Sequence, residues 1–188
     1  MAPKVKFTKT EIISAALELI RNQGSEALGS RSLAKALGCS TQPIFSNFVD
    51  MEELEEEVIT AAYEHYLSFL SREAESEKYP RYKAFGMAYI RFAKEERELF
   101  KLLFMRDRLG DQSVSSPDFR ESVELIMEAN GLSEGSATLM HLEMWAFVHG
   151  IATMIATSFY SPDSELIAKM TSDVYSSLRE KFIKEEDQ

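Results

Sequence analysis

The sequence predicts an all-α fold, with an N-terminal three-helix head followed by a larger helical domain. Three observations carry this reading. Apolar residues recur at spacings of three and four along nearly all of the 188 residues, and no alternating strand pattern persists long enough to compete. Residues 30–48, SRSLAKALGCSTQPIFSNF, read as two short helices around a glycine. From about Ser133 to Phe159 runs a long, strongly apolar helix.

The elements follow in order. The first helix starts at Thr8, where T-K-T-E forms a capping box with Glu11 reaching back. Ile12, Ile13, Ala16, Leu17 and Ile20 make one stripe before Asn22-Gln23-Gly24 ends it. Leu33, Ala34 and Leu37 supply the apolar face of the second helix. Gly38 stops it, because glycine alone enters the left-handed C′ conformation without steric cost. Ser40 caps the third, and Ile44, Phe45 and Phe48 form its inward face. Pro43 falls in the first turn, where amides lack intrahelical partners. Thr41, Gln42, Ser46 and Asn47 are left pointing outward. A helix this short is held by packing rather than by itself. Its polar face is then free, which is the layout of a helix-turn-helix whose second helix enters the major groove. Asp50 caps a fourth helix over 51–78, acidic in its first turns, where the helix dipole favours negative charge. Pro80 marks a break before two further helices, 83–96 and 97–106. Residues 107–118 form a polar loop, and Pro117 or Asp118 opens a helix ending at Asn130-Gly131. Ser161-Pro162 starts the last helix, which runs into the charged tail KEEDQ.

Composition narrows the class. The chain is 45% hydrophobic, enough for a packed core, and no apolar run approaches the ~20 residues that span a bilayer. The start, MAPKVKFTKTEI, lacks the apolar core of a secretory signal, and one cysteine excludes an internal disulfide framework. The expectation is a cytoplasmic protein without membrane contact. Net charge is −10, which by itself argues against nucleic acid, but the distribution does not. Residues 1–50 carry Lys4, Lys6, Lys9, Arg21, Arg31 and Lys35 against four acidic groups, a balance of +2, whereas residues 51–188 balance at −12. A mildly basic head on an acidic body fits DNA contact by the head.

Specific motifs sharpen this. Arg31 to Ala34 reads R-x-L-A, followed by Leu37-Gly38-x-Ser40, the pair Ile44-Phe45, Phe48, and M-E-E-L opening the fourth helix. Far downstream, Trp145, His149 and Gly150 form W-x-x-x-H-G. Over its whole length the chain resembles the TetR family of transcriptional repressors, and the second motif resembles a subgroup with that Trp…His-Gly signature. The resemblance implies a helix-turn-helix DNA-binding domain over 1–50 with a linker helix from 51, and a helical ligand-binding and dimerisation domain over 51–188. It also implies a double-stranded DNA operator, a small-molecule effector, and a homodimer formed through the last two helices.

Carried over position by position, the family's DNA contacts fall on Arg31, Thr41, Gln42, Phe45, Ser46 and Asn47. The chemistry is consistent. Gln42 can bond bidentately to adenine and Arg31 to guanine. The Thr41 methyl can touch a thymine methyl, and Ser46 and Asn47 suit phosphate oxygens. Three positions depart from the family pattern. Phe45 stands where tyrosine is usual, Met51 where lysine commonly opens the fourth helix, and Gly29 where Ser or Thr usually caps the second. Two possible phosphate contacts are thereby lost, and each lowers the salt dependence of binding by about one unit.

In the second domain, Phe85, Tyr89, Phe92, Phe100, Phe104, Met105, Met127, His141, Trp145 and His149 are candidate pocket-lining residues. Nine methionines in the chain suit an adaptable apolar cavity. The helix over 133–159 is apolar nearly all round, so it needs cover on every side, one face from its own body and one from a partner. Leu166, Ile167, Met170, Val174, Leu178 and Phe182 extend that pattern in the last helix. No catalytic residue, cofactor or metal site is expected. Phosphate loop, nucleophile elbow and H-E-x-x-H motifs are all missing, and His141 and His149 have no third ligand at a suitable spacing. The main alternative is a helical dimer that binds ligand or protein but has weak or lost operator binding.

Overall fold

The computed structural model describes residues 7–75, 78–106 and 117–186. Most of the polar loop expected over 107–118 therefore lies outside the described residues. Nine α-helices are found there: α1 Lys9–Gln23, α2 Ser30–Ala36, α3 Gln42–Asn47, α4 Met51–Ala74, α5 Arg81–Glu95, α6 Arg97–Phe104, α7 Pro117–Asn130, α8 Glu134–Ala156 and α9 Ser164–Glu186. A 3-10 turn, Ser25–Ala27, links α1 to α2. Among the described residues there is no strand.

Helix ends follow local chemistry. Thr8 and Glu11 form the reciprocal capping box at α1, with the Thr8 amide donating to Glu11 Oε2 at 2.8 Å. Asp50 Oδ1 accepts the Glu53 amide at 2.9 Å and opens α4. Ser133 caps α8. The last helix starts later than Ser161-Pro162, because Asp163 is the better cap: its Oδ1 accepts the Leu166 amide at 2.8 Å. At its C-terminal end α8 stops at Ala156, three residues short of Phe159, and Ser158 takes a left-handed φ of 58°.

The chain divides into two compact units, Met1–Tyr66 with Glu96–Arg106, and Leu67–Glu95 with Asp107–Gln188. This division cuts α4 and assigns α6 to the first unit, whereas the sequence motifs place a boundary at residue 50. In the first unit α1 packs on α2, on the 3-10 turn and on α6. Ile12, Ala16, Ile20, Leu33, Ile44, Leu54, Val58, Leu99 and Phe100 are fully buried. In the second unit α8 packs on α5, α7 and α9. Val123, Ile126, Leu132, Ala137, Met140 and Phe182 form one buried cluster, flanked by Tyr82, Phe119, Met127 and Tyr175.

By length and composition alone, the 23 residues of α8 could cross a membrane, with a mean hydropathy of 1.3 over the most apolar window. That revises the expectation that no apolar run is long enough. Packing accounts for one face of the helix, since Met140, Met144, Val148, Ile151 and Ile155 are buried within the second unit while Leu139, Leu142 and Trp145 are exposed.

Candidate nucleic-acid interface and effector site

The turn between α2 and α3 is built as the glycine requires. Gly38 has φ 65°, a conformation that L side chains rarely adopt, and the Cys39 amide returns to Ala34 O at 2.9 Å. Gly29 caps α2 without a side-chain bond, and the Ser32 hydroxyl donates to Ala27 O and Gly29 O instead. The cap position of α3 is Thr41, not Ser40, and no side chain caps it. Ile44 and Phe48, both buried, anchor α3 from behind.

Phe45 does not share that inward face. It is 48% exposed, because a residue adjacent to Ile44 lies about 100° further round a 3.6-residue helix. Gln42 and Arg31 are exposed and Thr41 is half-buried. Ser46 is exposed, with its hydroxyl hydrogen directed to Gln42 O at 2.8 Å. The Asn47 amide donates to Pro43 O at 2.8 Å and to Phe7 O at 3.1 Å. Both its donor hydrogens are then engaged inside the unit, and the remaining oxygen accepts but cannot donate to a phosphate. In this geometry Asn47 ties α3 to the segment ahead of α1.

The cations sort in the same way. Lys9 Nζ bonds Glu53 at 2.9 Å and Glu57 at 3.0 Å and lies 4.8 Å from the centre of the Phe48 ring. The Glu53 hydrogen bond, then that of Glu57, raises its pKa above the usual lysine value. Arg21 is held by Glu96. Arg31 and Lys35 on α2 are exposed. Val49, at the exit of α3, is 86% exposed.

Two family descriptions match this chain. Residues 12–58 match bacterial regulatory proteins of the tetR family, and residues 82–174 match the tetracyclin repressor-like C-terminal domain. The chain belongs to the TetR family. As a TetR-family protein it is a DNA-binding regulator rather than an enzyme. No curated protein matches its sequence significantly. Solved structures share the TetR-family fold at low identity. A protein of unknown function from Rhodococcus sp. RHA1 is 21% identical, with a TM-score of 0.72 over 97% of this chain and 100% of that one. A TetR-like transcriptional regulator from the same organism is 13% identical, with a TM-score of 0.65 over 91% and 92% of the two chains. A TetR variant from Acinetobacter baumannii AYE in complex with minocycline is 16% identical, with a TM-score of 0.59 over 95% and 98%.

The candidate effector residues of this TetR-family chain separate between the units. Phe100, Phe104 and Met105 fall in the first, where Phe100 is buried and Phe104 lies 5.1 Å from Tyr66, centre to centre. The others fall in the second. There, two phenol–imidazole pairs join α5 to α8: Tyr82 to His141 Nδ1 at 3.0 Å, and Tyr89 to His149 Nδ1 at 2.8 Å. Trp145 stacks on His149 with centres 5.0 Å apart and planes 17° from parallel. Phe119 stands edge-on to His141 at 4.7 Å. Phe92 is buried against Phe69, Phe85 lies under the Arg81 guanidinium, and Met127 packs on the core cluster. Burial lowers both imidazoles below the usual histidine range, His141 to about 4. Burial likewise pushes the Tyr82 hydroxyl up. Tyr82 and His141 are thus both uncharged at neutral pH.

Proposed function

We propose that this TetR-family regulator is a cytoplasmic homodimeric repressor, released from its operator by a small, largely apolar effector. The observation that carries the DNA-binding part is the outward face of α3, where Gln42 is exposed on a helix held from behind by Ile44 and Phe48. Base readout falls to Gln42 and Arg31, with Thr41 and Phe45 contributing apolar contact and Ser46 a phosphate contact once its hydroxyl turns from Gln42 O. Backbone attachment is sparse, since Lys9 is already paired and Met51 and Val49 bring no charge. Gln42→Ala is expected to cost about 1–3 kcal/mol at one A·T pair of the operator and to leave non-specific binding unchanged. Arg31→Ala is expected to reduce the salt slope by at most about one unit. Both are read by titrating operator DNA at several salt concentrations. A steep wild-type salt slope, reporting many phosphate contacts, would count against this assignment.

Dimerisation through α8 and α9 is supported by apolar side chains left uncovered in the single chain. Leu139, Leu142 and Leu166 are exposed, and the space beside Gly150 is open. Two-fold symmetry then sets the heads for half-sites about 34–36 Å apart, one DNA turn. Leu142→Glu is expected to give a folded monomer with operator binding weakened more than tenfold, checked by sedimentation and gel shift. A variant that stays dimeric excludes Leu142 from the interface.

The Tyr89–His149 bond and the Trp145 ring stacked on it support an effector site on α5 and α8. Because α4 belongs to both units, an effector that prefers one conformation of the second changes operator affinity only by its differential affinity. The engaged Asn47 amide favours the alternative of a dimer with weak or lost operator binding. Selection from random DNA decides between them, and recovery of no sequence supports the alternative.

A further inference from the structure

Glu95 ends α5 and Arg97 begins α6, so a single residue, Glu96, links the two helices, with φ −116° and ψ 49°. Its carboxylate takes two hydrogen bonds from Arg21 of α1, with Nε 2.8 Å from Oε2 and Nη2 3.1 Å from Oε1. Oε1 also faces Nε2 of His65 on α4 at 2.9 Å. One side chain therefore joins three helices of the first unit. Fork-to-carboxylate pairing fixes orientation as well as distance. Only 18% of the Glu96 side chain is exposed, so water screens this pairing less than it screens the contacts of Lys9 at the other end of α1. Burial pushes the Glu96 carboxyl up, and the bonds from Arg21 and His65 outweigh it, leaving it below the usual carboxylate range.

We propose that Glu96 is a positioning residue for operator binding. Holding Arg21 and His65, it sets the tilt of α1, and with it that of α2, which packs on α1. This rests on the reading of the chain as a dimeric DNA-binding regulator. Glu96→Gln keeps the size and one acceptor but removes the charge and the two-point grip.

Two measurements test it on the full chain. In the free protein, amide hydrogen exchange over residues 16–23 is expected to quicken about tenfold in E96Q, with α8 unchanged. In selection from random DNA, the wild type is expected to recover paired half-sites at one spacing, and E96Q a broadened spacing with affinity about tenfold lower. Arg21→Lys, which keeps the charge with a single-point contact, is expected to fall between them and serves if E96Q does not fold. Unchanged α1 exchange and spacing, or acceleration of α8 equal to that of α1, overturns the proposal. If the wild type recovers no DNA, the DNA-binding reading fails, and exchange alone judges the Glu96 clasp.

Discussion

Replacing Ile44 with alanine is expected to abolish operator binding, although its side chain faces away from DNA. The residue is fully buried, and a large-to-small change at such a site costs about 2–5 kcal/mol through lost transfer energy and the cavity left behind. That cost falls on a helix of six residues, which cannot persist without packing. Phe48 then remains as the other buried anchor of α3. The expected result is a lower unfolding midpoint together with lost sequence-specific binding, measured by thermal melts and gel shift below the midpoint. Phe45→Ala is the control: half-exposed, it should leave stability within about 1 kcal/mol. Wild-type operator affinity in Ile44→Ala would show that α3 is held by contacts other than these.

Acidification should weaken the second unit before its carboxylates titrate. His141 is brought by burial to about 4, against 6.5 when exposed, with Asp118 opposing the shift. The unfolded chain thus takes up a proton near pH 6.5 that the folded one refuses until about pH 4. Stability is full above pH 6.5 and falls between those values, by up to about 3 kcal/mol from this residue. His149, also lowered by burial, acts in the same direction. Urea unfolding at pH 7, 5.5 and 4 measures it. In His141→Gln the amide oxygen can still accept from Tyr82 but does not titrate, so the acid loss should shrink. An equal loss in that variant assigns the effect elsewhere.

The sequence made most of the fold legible because helical period and caps are local signals. Thr8 and Glu11 lie three residues apart, and Asp50 and Glu53 likewise, so their pairing can be read directly. Phe45 was less legible. In a helix of six residues, Ile44 and Phe48 already complete one face, and an apolar neighbour fits either side. Long-range pairing was invisible. Lys9 meets Glu53 at a separation of 44 residues, Asn47 meets Phe7 at 40, and Arg21 meets Glu96 at 75. Each of these side chains reads as a free polar group until the fold supplies its partner. The candidate DNA contacts all lie between residues 31 and 47 and come from a local motif, whereas the effector residues were inferred from aromatic content, which does not say which rings meet.

The stacked pair on α8 has an optical consequence. Trp145 is the chain's single tryptophan, 44% exposed and in ring contact with His149. All indole emission therefore originates beside the Tyr89–His149 pair, with no background from the head. A neutral imidazole leaves indole bright and a protonated one darkens it, so the protein's own glow registers the charge state and the covering of that one spot, with no dye attached.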